Sequence, residues 1–286
     1  VAEMLEKEGV KVDYVSVDTN GIVNIKELRN LINKNTILVS VMYANNEIGA
    51  VEPIREIAKE IRHARKIRGT VYPYFHTDSA QATNYLDLNV LKLGVDLMTL
   101  SSSKTYGPRG IGALFVRRGI VLAPLFNGGG HEDGRRPGTE AVALASGFAE
   151  ALVLAEKIKI KEYARVEKLR DKLAEKILKK IPDCAVNGDI EYTLPNILNI
   201  SIRGCESEAL VIYLDAVGIA VSGKSACKSS DSVPSHVILA VKGKMEGIIR
   251  FSLGRGTTGE DIARVVSELA RIVPLLRESY AQSDLI

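Results

Sequence analysis

Short runs of β-branched and apolar residues alternate with helical patterns through the first half of the chain, and this restricts its fold more than any other feature. Residues 36–43 (TILVSVMY) have the length and composition of a strand buried on both faces. Residues 53–68 follow with Pro53 in the first helical turn, Ile54, Ile57, Ala58 and Ile61 at helical spacing, and Gly69 as the stop. The rhythm repeats through 71–77, 86–93 and 95–100, and residues 10–17 read as a further strand. Such alternation predicts a largely parallel sheet flanked by helices, with ligands beyond the carboxyl ends of its strands. Asn46, Asp78 and Lys104 each fall just after an apolar run, so this topology brings them to one rim.

Residues 138–180 are predicted helical, as two helices with a break near Ile160. Beyond them come a strand (197–202), a helix (206–216), a strand and loop (219–230), a helix (234–241), a strand (247–253) and a helix (258–276). The expected organisation is α/β: a large domain over 1–156, and linker helices with a small α/β domain over 157–286.

Composition excludes several functions. A net charge of +3 is too mild to imply nucleic-acid binding, and no basic run is interleaved with aromatics. The Lys/Arg-rich segment 157–180 also carries Glu at frequent intervals, as a solvated helix face does. No apolar stretch approaches a membrane span and the opening residues do not form a signal peptide, so a cytoplasmic protein is expected. Cys184, Cys205 and Cys227 are far apart and odd in number, which argues against a disulfide framework or a zinc site.

The chemistry concentrates in the stretch from Ser101 to Gly112, where Lys104 stands between small hydroxyls and glycines. A partly desolvated amine there suits a covalent imine and the hydroxyls suit a phosphate, although a lysine in a Gly/Pro-rich loop is also simply a solvated charge. Upstream, Asp78 ends a β-like run. Its carboxylate suits a pyridine nitrogen held protonated, as pyridoxal phosphate (PLP) requires, or a turn bonding its own backbone.

Five ordered motifs then carry a resemblance: HTDSAQ (76–81); VDLMTLSSSKTYGPRGIGALFVRR (95–118); NGGGHEDG with RPGTE (127–140); SGKSACKSS with VPSHVILA (222–240); and IRFSLGR (249–255). Together they resemble the cysteine desulfurases of the class V, fold-type I PLP-dependent enzymes. The resemblance implies that Lys104 forms the imine, that Asp78 pairs with the pyridinium nitrogen, and that Gln81 and Asn46 bond the ring's phenolic oxygen. It implies that Ser101 and Ser103 hold the phosphate, joined by Thr139 from a neighbouring subunit of a homodimer, and that Arg250 and Asn46 bind substrate. By the same resemblance, Cys227 takes sulfur from L-cysteine as a persulfide, leaves L-alanine, and hands the sulfur to an iron–sulfur scaffold or thiolation protein.

The residues support that choice of nucleophile, since Lys224 and Lys228 flank Cys227 and favour its thiolate, whereas Cys184 and Cys205 suit small buried hydrophobes. For Arg250 a strand-end salt bridge is the plainer alternative, and for Thr139 a helix N-cap. Ser103 and Lys224 depart from the family's usual histidine and serine. The resemblance also begins part-way into the family's large domain, so its opening phosphate-binding turn and ring-stacking histidine are expected to be missing. The chain alone is then expected to bind PLP weakly and turn over little unless that opening segment is supplied. Other readings are a class V aminotransferase or lyase, or a catalytically incomplete subunit.

Overall fold

The computed structural model describes residues 1–223, 235–241 and 246–283, with side chains through 278. Four strands, β1 (Leu38–Ser40), β2 (Tyr74–Asp78), β3 (Leu97–Ser101) and β4 (Gly112–Val116), form a sheet in the order β1-β2-β3-β4. β1, β2 and β3 run parallel and β4 returns antiparallel to β3. Parallel strands need crossovers, and the longest here is α3 (Ile54–Arg68), which ends on Gly69 in the left-handed conformation. Its predicted stripe of Ile54, Ile57, Ala58 and Ile61 is buried against Val39, Phe75 and Met98 on one face of the sheet.

Three sequence expectations are corrected. Only Val39 of β1 is buried, while Leu38 and Ser40 on the other face are exposed, so the strand is covered on one face only among the described residues. Residues 10–16 pair with no strand, and Val17 makes a single bridge to Val23. The predicted break near Ile160 is absent: α5 (Val142–Lys180) is one helix of 39 residues. The alternation KIKIK (157–161) looks strand-like, but Lys159 turns inward and donates to the Leu86 carbonyl (2.8 Å) and to Glu156, leaving Ile160 in solvent.

The second half of α5 packs with α6 (Ser207–Asp215) and α8 (Gly259–Ser283) around an antiparallel sheet of β5 (Cys184–Val186), β6 (Ile197–Ile202) and β7 (Ile248–Ser252), in the order β5-β6-β7. Every residue of β6 is buried. The short helices α1 (Ala2–Lys7), α2 (Ile25–Leu31), α4 (Val90–Leu93) and α7 (His236–Ala240) complete the described α-helices. Ile48 and Ala50, from the loop after β1, pack against Ile238, Val241 and Ile248, which joins the two sheets.

Glu52 ends that loop and is buried, its Oε2 accepting from the Val23 N–H (3.0 Å); desolvation pushes its carboxyl up from 4.5 to about 7. A raised folded-state pKa means that the native state holds the proton more tightly than the unfolded chain. The protein therefore loses stability as pH rises from about 4.5 to 7, by about 3 kcal/mol from this group. Glu52→Gln is expected to flatten that slope. Urea unfolding at pH 5 and pH 8 measures it, and an unchanged difference between the two pH values counts against the assignment.

Candidate active site

The site is built where the parallel strands end. The Tyr43 N–H donates to the Asp78 carbonyl (2.7 Å), Asp78 is paired with Thr99, and the Ser79 N–H donates to the Thr99 carbonyl (2.9 Å). The loop bearing Asn46, the end of β2 and the turn after β3 are thus tied together at one rim, as the alternation of elements predicts. Asp78 is exposed, and its Oδ1 also accepts from the Ala80 N–H (2.9 Å), so the turn role and an available carboxylate coexist. Gln81 is half-buried in the turn that follows.

Lys104 closes a single 3-10 turn, Ser102–Lys104, with its side chain exposed. Its carbonyl accepts from Asn84 Nδ2 (2.7 Å), and the next hydroxyl, of Thr105, lies 2.9 Å from that of Thr83. Ser101 Oγ and Ser103 Oγ stand 3.2 Å apart beside it. Ser102 points the other way and is buried, and a Cβ at Gly107 would lie 2.4 Å from its Oγ. The turn is therefore packed too closely for any larger residue at 107.

Tyr106, two residues past the lysine, has φ 61°, a conformation that costs a side-chain-bearing residue about 1 kcal/mol or more. Its hydroxyl accepts from the Arg255 N–H (3.0 Å), the Arg255 guanidinium lies 4.2 Å from its ring centroid, and a Cβ at Gly254 would stand 2.9 Å from the hydroxyl. The lysine turn is thereby clamped to the segment after β7. Sequence reasoning missed this contact, because nothing in a tyrosine's identity announces a left-handed backbone.

Arg250, on β7, is half-buried and reaches across to the same rim. Its Nη1 donates to the Asn46 carbonyl (2.9 Å), while its buried Nε has no hydrogen-bond partner among the described residues. Among the described residues Arg250 forms no salt bridge, the alternative considered from sequence; its guanidinium meets a backbone carbonyl. Burial lowers its pKa, and Glu47 nearby partly offsets this. A buried donor left unsatisfied is costly, and a carboxylate ligand would satisfy it.

Two predicted residues stand apart from this cluster. Thr139 is exposed in the irregular segment before α5 and does not cap it, since the N-cap is Ala141 without a side-chain bond. Cys227, with Lys224, lies outside the described residues. Of the other two cysteines, Cys205 is buried as expected, with its thiol pKa raised by desolvation, whereas Cys184 is only half-buried and donates to the Ile181 carbonyl (3.0 Å). His76 faces the other way from the core, between Ser40 Oγ and Thr99 Oγ1 (2.8 Å each). Among the described residues no cluster of metal-ligating side chains occurs, and no helix is long and apolar enough to cross a membrane.

Fold and rim together define an α/β enzyme scaffold with an exposed lysine at the end of a parallel strand. The chain belongs to the class-V aminotransferase family, whose domain matches residues 1–265. It is 42% identical over 276 residues to a cysteine desulfurase IscS of Dictyoglomus turgidum, a match covering 96% of this chain and 68% of that relative. A cysteine desulfurase of Nostoc sp. is 43% identical over 281 residues, covering 97% of this chain and 68% of the relative. Among solved structures, a NifS-like protein superimposes with a TM-score of 0.86 at 31% identity, covering 96% of this chain and 71% of the other. The chain thus spans about two thirds of the length of these relatives.

Proposed function

We propose that the rim is the active site of a PLP-dependent cysteine desulfurase, formed between a PLP-binding part over residues 1–156 and a smaller part over 157–286. The observation that carries this reading is the joining of three ends: the Asn46 loop, Asp78 and the Lys104 turn meet at the carboxyl ends of parallel strands, with Arg250 reaching in from the second sheet.

The donor set suits PLP. Asp78 offers an exposed carboxylate for the pyridinium nitrogen, Gln81 and Asn46 offer amides for the phenolic oxygen, and Ser101 and Ser103 offer adjacent hydroxyls for the phosphate, with Thr139 supplied across a homodimer. Lys104 offers the amine for the aldehyde. When bound, PLP supplies an electron sink for the pair left at the substrate's carbon.

Arg250 binds the carboxylate of L-cysteine, its free Nε supplying one donor of a bidentate pair, and Asn46 borders the same space. The Lys104 amine would move protons at the substrate's carbons. The Cys227 thiolate attacks the substrate sulfur: a sulfur–sulfur bond forms, the carbon–sulfur bond breaks, and a proton replaces sulfur on carbon to leave L-alanine. The persulfide on Cys227 then passes to a sulfur-acceptor protein such as an iron–sulfur scaffold, in the cytoplasm. An aminotransferase or lyase needs Lys104 and not Cys227, so the thiol loop separates these readings.

Arg250→Ala is expected to weaken L-cysteine binding by about 2–5 kcal/mol, the range for truncating one partner of a buried charge pair. Formation of alanine and sulfide from L-cysteine tests the activity itself, and a chain that releases neither with PLP and with the family's opening segment supplied in cis or as a second polypeptide would count against the proposal.

A further inference from the structure

We infer that Asn199 is a positioning residue for the carboxylate-binding arginine, acting through the Asn46–Glu47 backbone; this rests on the substrate role proposed for Arg250. Asn199 sits in β6, a strand with no exposed residue, where an isoleucine would be the ordinary occupant. It is the cross-strand partner of Arg250, so the two side chains leave the sheet on the same face. Arg250 Nη1 donates to the Asn46 carbonyl (2.9 Å), and Asn199 Nδ2 donates to the next carbonyl, that of Glu47 (3.1 Å). Two neighbouring side chains of the second sheet thus hold two consecutive carbonyls of the loop that carries Asn46.

Both ends of this contact are themselves fixed. On the sheet side, Asn187 Nδ2 donates to Asn199 Oδ1 (2.8 Å), and the Asn187 N–H donates to the Asn199 carbonyl (2.9 Å). On the loop side, Asn45 Oδ1 accepts from the N–H groups of Glu47 (2.8 Å) and Ile48 (3.0 Å), and Glu47 Oε2 accepts from the Ser235 hydroxyl (2.6 Å). Asn187, Asn199, Glu47 and Ser235 are 4, 3, 4 and 7% exposed, so water does not compete for these bonds.

The consequence for binding lies in where Arg250 spends its donors. Held at 2.9 Å from Nη1, the Asn46 carbonyl fixes the fork and leaves Nε unmet. If Asn199 releases the Glu47 carbonyl, the Asn46 carbonyl shifts with it, because the two belong to adjacent peptide units. The fork then loses its fixed orientation before substrate arrives, and preorganisation is lost.

The test uses the full chain in the presence of PLP and propionate as the probe, which carries a carboxylate and neither the amine nor the thiol. Its Kd is measured by ligand-observed NMR for wild type, Arg250→Ala, Asn199→Ala and the double variant. Asn199→Ala is expected to weaken binding about tenfold, the equivalent of one lost hydrogen bond, and to add nothing in the Arg250→Ala background. Borohydride trapping of PLP on Lys104 stays at the wild-type level, which a general loss of structure would not allow. Should Asn199→Ala fail to fold, Asn199→Ser serves, since its hydroxyl is too short to span the same gap. Weakening by Arg250→Ala with wild-type binding in both Asn199 variants, or additive effects in the double variant, overturns the inference alone. Wild-type binding by Arg250→Ala overturns the substrate role of the arginine, and this inference with it.

Discussion

Lys104→Ala abolishes borohydride-trappable attachment of PLP to the chain. The expected loss is complete rather than partial, because the imine needs an amine at the rim and the turn holding this one is built closely around position 104. Asn84 binds its carbonyl, Thr105 is held beside Thr83, and Gly107 leaves no room for a larger residue against Ser102. A lysine elsewhere cannot substitute by flexibility, since no other lysine in the motif stands beside Asp78 and the Ser101–Ser103 pair. Reduction with borohydride in the presence of PLP, followed by peptide mapping, reads the result directly. Label retained in Lys104→Ala, or recovered on another lysine of the wild type, sinks the assignment.

Cys227→Ser is expected to leave the Lys104 attachment intact and to eliminate sulfide release from L-cysteine. The two effects separate because the thiol acts only on the substrate sulfur, after substrate has bound, and a hydroxyl cannot carry a persulfide. The remaining cysteines provide the control. Cys205 is buried with its thiol held neutral by desolvation, and Cys184 is half-buried against the end of α5, so Cys184→Ser and Cys205→Ser are expected to keep activity. Sulfide production and trapping of a persulfide-bearing peptide by alkylation measure all three variants. Persistence of activity in Cys227→Ser with loss in either of the others would transfer the role.

Much of the large sheet was legible because its signals are local. The stripe of α3 and its Gly69 stop depend only on helical period and left-handed φ, and both appear in the structure as the residues predict. The rim was legible for a related reason: alternating strands and helices place strand ends on one side, whichever residues follow. Where reading failed, the deciding force was not local. The lysine-isoleucine alternation at 157–161 has a strand's period, yet it lies within one continuous α5 in which Lys159 turns inward to the carbonyl of Leu86, 73 residues away. Similarly, an apolar run such as 36–43 reports that its residues can be buried, while the neighbours present decide how many of its faces are covered.

By itself the sequence determined the chemistry-bearing residue types and their order: the acid after one strand, the hydroxyls and lysine after the next, the arginine in a late strand, and the motifs that mark the family. What only the tertiary structure decided is how the arginine is held. Asn46 and Arg250 are 204 residues apart, and Glu47 and Asn199 are 152 apart, yet they form two adjacent hydrogen bonds between the sheets. Tyr106 and Arg255 meet across 149 residues in the same way. No periodicity encodes such contacts, because a hydrogen bond between distant segments depends on the packing that brings them within about 3 Å, and that distance is set by the assembled cores rather than by either segment.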